Sequence, residues 1–152
     1  MASALMVASG NDPYQKALAQ IGADNLRSYQ VTGEDTHGGF LGDGETHNIF
    51  SNLEAGQVAR VIGSPGWSTL PLSHGLACTL YGEEYHGIAY DAWFHGILPI
   101  EAGAWFFLDK QNPKKSYDDA EIYRIYAGSS ANIVIGLYDA QTQAVHYLAF
   151  DS

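Results

Sequence analysis

Apolar positions recur along this chain in two rhythms, and the change between them sketches the elements. Tyr14, Ala17, Leu18 and Ile21 repeat at the spacing of one helical face. Asp12-Pro13 supplies a cap and a favoured first residue ahead of them, and Gly22 supplies a stop. The stretch from Arg27 to Glu34 alternates instead, with Tyr29 and Val31 on one side. Thr46 to Phe50 resumes that alternation, so the glycine-rich connection between the two predicts a hairpin. Ser51-Asn52-Leu53-Glu54 fits a capping box. Val58, Val61 and Ile62 then give a second helix its apolar face, before Gly63 and Pro65 end it.

From Leu76 onward strand patterns dominate. Leu76–Tyr81 is expected to be a strand. Tyr85–Tyr90 and Ala92–Ile97 suggest a hairpin turning at Tyr90-Asp91, and Ala104–Leu108 is a strongly apolar strand. Glu121–Ala127, Asn132–Tyr138 and Ala144–Phe150 complete a meander. The pattern predicts an α+β fold: a mainly antiparallel sheet of roughly seven to nine strands, with two short helices in the N-terminal half.

A chain of 152 residues suits one domain. Residues 12–152 are therefore expected to form a single α+β domain, and residues 1–11 a flexible or processed N-terminal segment. Leu5-Met6-Val7-Ala8-Ser9-Gly10 resembles the end of an export signal, where Ala-Ser-Gly often precedes a lipidated cysteine; Asn11 stands at that place. A lipoprotein-like start and a native start, disordered or strand-forming, weigh equally.

Composition narrows the function. Hydrophobic residues make up 46%, enough for a core. The net charge is −10, and Arg60 is the only base between Ser28 and Asp109. Nucleic-acid binding needs Lys and Arg to displace counterions, so it is set aside. Solubility explains most such acidity; an acidic inhibitor or immunity-type protein is the sharper alternative. The lone Cys78 allows no intrachain disulfide and sits in an apolar run, where a buried inert thiol is expected. No stretch approaches the roughly 20 apolar residues of a membrane span.

Candidate chemistry centres on Asp35–Glu45, which holds four glycines, three carboxylates and His37. Glycine serves turns that need φ > 0, so a demanding turn comes first and a ligand or partner contact by Asp35, His37, Asp43, Glu45 and His47 second. The spacing is not that of an EF-hand loop. Four of the six histidines precede glycine. A turn at Tyr90-Asp91 would set His86 opposite His95, their Cβ atoms about 5 Å apart. Such a pair could share a zinc ion, although a third ligand is not in view, and a cross-strand pair is the plainer reading. No metal or cofactor is therefore assigned. There is no Gly-x-Ser-x-Gly elbow. His74 and Cys78 would align on a helix, but their segment has a strand pattern. The ten tyrosines, six phenylalanines and three tryptophans fit an ordinary sheet or a face for a glycan or peptide.

The string Asp35-Thr36-His37-Gly38-Gly39-Phe40-x-Gly42-Asp43-Gly44 resembles a signature of uncharacterised small acidic bacterial proteins, often exported or lipid-anchored. Ser64-Pro65-Gly66-Trp67-x-x-Leu70-Pro71-Leu72, Leu80-Tyr81-Gly82, Ala131–Asp139 and Tyr147-x-x-Phe150-Asp151 are similar to further stretches of that family, in the same order. The resemblance implies an α+β architecture and an export context, and no catalytic residues. The expected function is a non-catalytic binding or interaction domain of a bacterial protein, displayed at the cell surface, with the cytoplasm as the alternative location. Its partner is an unidentified protein or a small-molecule or glycan ligand. The rival is a small hydrolase with its site around the Asp35–His47 loop.

Overall fold

The computed structural model describes residues 2–7, 13–35, 44–89, 91–94, 96–128 and 130–151, with backbone alone for 2–7, 34 and 35. The elements in order are β1 (Ala2–Val7), α1 (Gln15–Gln20), β2 (Ser28–Asp35), β3 (Gly44–Ser51), α2 (Ala55–Ile62), β4 (Trp67–Thr69), α3 (His74–Tyr81), β5 (Glu84–Tyr85), β6 (Ile88–Ala89), β7 (Gly103–Asp109), α4 (Asp119–Tyr126), β8 (Asn132–Asp139) and β9 (Ala144–Asp151). Seven strands form one sheet in the order β1-β2-β3-β9-β8-β7-β4, and β5-β6 is a separate ribbon. All pairings among the described residues are antiparallel. The fold is α+β.

Side chains of a strand alternate between faces, and here both faces are covered. On one, Tyr29, Val31, Phe50 and Val145 pack with Leu18 and Ile21 around α1 and Val61 of α2. On the other, Ile133, Ile135, Leu137 and Leu148 pack with Leu76 and Leu80 of α3 and Ile122 of α4. The strand β8, buried from both sides, therefore has an almost unbroken apolar run from Ile133 to Leu137.

Four helices stand among the described residues rather than two, and the two additional ones replace expected strands. Leu76–Tyr81 belongs to α3. Its side chains are buried on nearly every side, so no polar stripe marks the helical period. The ends carry the signal instead: the Ser73 hydroxyl accepts from the Leu76 amide, and Gly82 closes the helix at φ 73°. The segment 121–127 is mostly α4, opened by a capping box between Asp118 and Glu121. The capping box expected at Ser51–Glu54 does not form: Glu54 occupies the cap in an extended conformation without a side-chain cap bond.

The second hairpin also turns elsewhere. His86 (φ 50°) and Gly87 (φ 81°) are the two loop residues between β5 and β6. Positive φ at both positions is the type I′ demand that a Gly in second place satisfies. Tyr90 and His95 lie outside the described residues, and Asp91–Phe94 is irregular. Of the N-terminal segment 1–11, residues 2–7 are described, as edge strand β1 paired with β2. No helix among the described residues is long and apolar enough to cross a membrane.

Candidate functional site

Among the described residues, two places on the α3–α4 side of the molecule are candidates, each with polar groups open in part to solvent. The first is on the sheet itself. His47 of β3 registers with Leu148 of β9, and Ile49 with His146. Alternation puts Glu45, His47 and His146 on one face. His47 Nε2 and His146 Nδ1 are 3.0 Å apart, with the rings 24° from parallel. One nitrogen donates its N–H and the other accepts. Burial, and then the neighbouring His47, hold His146 down at about 4, with Asp139 opposing. Trp93 stacks on Phe150 at 4.5 Å, and Phe150 registers with Glu45.

The expected contact cluster is only partly brought together. Glu45 and His47 share a face. The backbone of Asp35 registers with Thr46. The side chain of Asp35, and all of His37 and Asp43, lie outside the described residues, as does His95. His86 sits exposed in its turn with its ring edge-on to Tyr85 at 4.2 Å. The partner that His47 does meet, His146, is 99 residues away in sequence. It is a single histidine in an apolar strand, and nothing local marks it.

The second place is a cleft of about 690 Å³ between the β4–α3 connector and the loop leading to β7. Leu70, Pro71, Leu72 and Ile100 wall it, and Glu83 and Glu101 stand among its lining residues. The connector is held to the sheet by the Leu70 amide donating to Gly103 O (3.4 Å) and the Trp105 indole donating to Pro71 O (3.3 Å). Burial pushes the Tyr81 phenol in this cleft up, with the Ile100 backbone opposing. Both carboxylates are exposed. No Lys or Arg is among the residues that line the cleft. Leu98, 81% exposed, belongs to the same loop as Ile100.

Behind the cleft, Asp119 ties α4 to α3. It accepts from the Ser73 hydroxyl at 2.6 Å, the Gly75 amide at 2.7 Å and the Tyr85 hydroxyl at 2.9 Å. Burial opposes its ionisation, but these three donors outweigh it and lower the carboxyl below its ordinary value. The helix also puts His74 and Cys78 one turn apart on one face, where a strand would separate them. They still do not form a nucleophile pair. The buried Cys78 thiol donates to Glu83 O at 3.3 Å, and burial, then Glu83 and Asp119, push it up, away from the reactive thiolate. His74 Nε2 is engaged at Glu84 O, 2.5 Å away.

No family model, no curated protein and no solved structure matches the chain. Among the described residues no group of three or more His, Cys, Asp or Glu side chains is arranged to hold a metal ion. What the cleft offers is an apolar trough flanked by negative charge.

Proposed function

We propose that the protein is a non-catalytic binding domain, and that the cleft beside α3 takes a segment of a partner chain bearing both apolar and basic side chains. The observation that carries this reading is the combination of Leu70, Leu72 and Ile100 walls with the Glu83 and Glu101 carboxylates. Apolar walls supply affinity through burial; the carboxylates select positive charge and steer its approach. The net charge of −10 favours the same class of partner. The exposed Leu98 next to the cleft extends the apolar contact beyond the trough.

The test is fluorescence polarisation of the full chain against a library of short peptides varying in charge and apolar content. Basic, leucine-rich members should bind, and the double variant E83Q/E101Q should weaken them on the order of tenfold. Equal affinity of basic and acidic peptides, or an unchanged affinity in the double variant, would refute the assignment. A glycan array run in parallel tests the sugar-binding alternative.

A further inference from the structure

We infer that His47 and His146 form a bidentate imidazole site for a first-row divalent cation of the nickel–copper–zinc group, on the sheet face and apart from the cleft. The two ring nitrogens already face each other at 3.0 Å. Bonds of about 2.0–2.1 Å from imidazole nitrogen to zinc, at ligand angles between about 90° and 109°, place two nitrogens about 2.9–3.4 Å apart. The separation therefore needs almost no change; only the rings must turn so that both lone pairs converge. The donating ring changes tautomer, its N–H proton passing through solvent to its own second nitrogen, so both imidazoles stay neutral and the cation takes the former place of that proton between the rings. Both residues are half-buried and keep part of their surface open to solvent.

The backbone favours the same conclusion. Both histidines are held on paired strands inside a seven-stranded sheet, so little chain entropy is lost when the ions bind. Imidazole is a ligand suited to nickel, copper and zinc, and copper should bind tightest in the divalent series. Two protein ligands leave coordination positions for water or for an incoming donor group, the arrangement of an open site rather than a closed structural one.

Zinc titration by calorimetry on the full chain, with copper followed by its visible absorption, tests the site. One zinc per chain should bind at micromolar concentration. Loss of an outer partner of a metal ligand already costs roughly 10- to 100-fold, so His47→Gln and His146→Gln should each weaken binding at least tenfold. His86→Asn, which alters only the exposed turn histidine, should keep it. Histidine ring resonances of the native protein supply a readout that does not depend on how the variants fold: zinc should shift those of His47 and His146. Absence of zinc heat and of a copper band overturns the inference. So does binding that survives both glutamine variants, is lost in His86→Asn, or leaves the His47 and His146 resonances in place.

Discussion

His146 is a base set among Leu137 and Ile49 in the sheet register, and that placement makes it sensitive to acid. Its folded-state value is about 4 against an ordinary 6.5. Above pH 6.5 both folded and unfolded chains leave it neutral, and it has no effect on the pH dependence. Between pH 6.5 and about 4 the unfolded chain binds a proton that the folded chain refuses, so stability falls as pH falls. The total is at most roughly 3 kcal/mol, and the effect levels off below pH 4. Urea midpoints measured in the absence of metal at pH 7, 5.5 and 4.5 should decline in the native protein and decline less in His146→Leu. Parallel slopes would count against this account. Cys78 makes a second residue-scale case. Its raised pKa and burial predict that iodoacetamide labels it only after denaturation, readable by mass spectrometry. Rapid labelling of the native chain would show an accessible thiolate. Both properties come from surroundings assembled in three dimensions. The histidine and the cysteine each look unremarkable in their apolar strings.

At the scale of elements, α3 and α4 pack closely because of one glycine. A Cβ built at Gly75 would lie 2.8 Å from Asp119 O and 2.8 Å from Tyr123 N. Glycine in a helix ordinarily costs about 0.5–1 kcal/mol against alanine, so a propensity argument favours Gly75→Ala. The contact reverses that sign. Overpacking costs about 1–3 kcal/mol, and the Asp119 hydrogen bond to the Gly75 amide would stretch as the helices part. Thermal unfolding should show a lower midpoint by roughly 2–10 °C; an unchanged or raised midpoint would mean the helices separate without cost. The same pair of helices shows where the amino-acid pattern misleads. Leu76–Leu80 is buried throughout, so it has neither the period of 3.6 that marks a surface helix nor a polar face. Its helical state is written at Ser73 and Gly82, the ends, rather than in the body. For α4, Asp118 and Glu121 spell the capping box, a local signal that a run of Ile and Tyr outweighs when only alternation is considered.

The whole molecule is an antiparallel sheet between two helical layers, carrying a net charge of −10. That charge acts on encounter more than on the fold. If the cleft takes a basic segment, raising salt from about 0.05 to 0.5 M should weaken the peptide affinity several-fold, because the exposed Glu83 and Glu101 are screened as the Debye length shrinks. An affinity insensitive to salt would leave the apolar walls as the whole of the recognition. The amino-acid sequence by itself determined the class of the fold, because alternation and turn residues act over a few neighbours: Tyr29 and Val31 of β2, Thr46–Phe50 of β3 and Ile133–Leu137 of β8 are strands as their patterns require. It also determined that Cys78 sits in an apolar run without a disulfide partner in its chain. Tertiary structure alone decided which histidines meet. His86 was drawn into a type I′ turn by its glycine, and His47 met His146 because β3 and β9 are neighbours in the sheet although 99 residues separate the two rings. It likewise decided the acidic cleft, whose walls come from the connector at Leu70–Leu72 and from Ile100. Contacts of that range depend on strand order and on how helices cover each face, and neither is carried by any local run of residues.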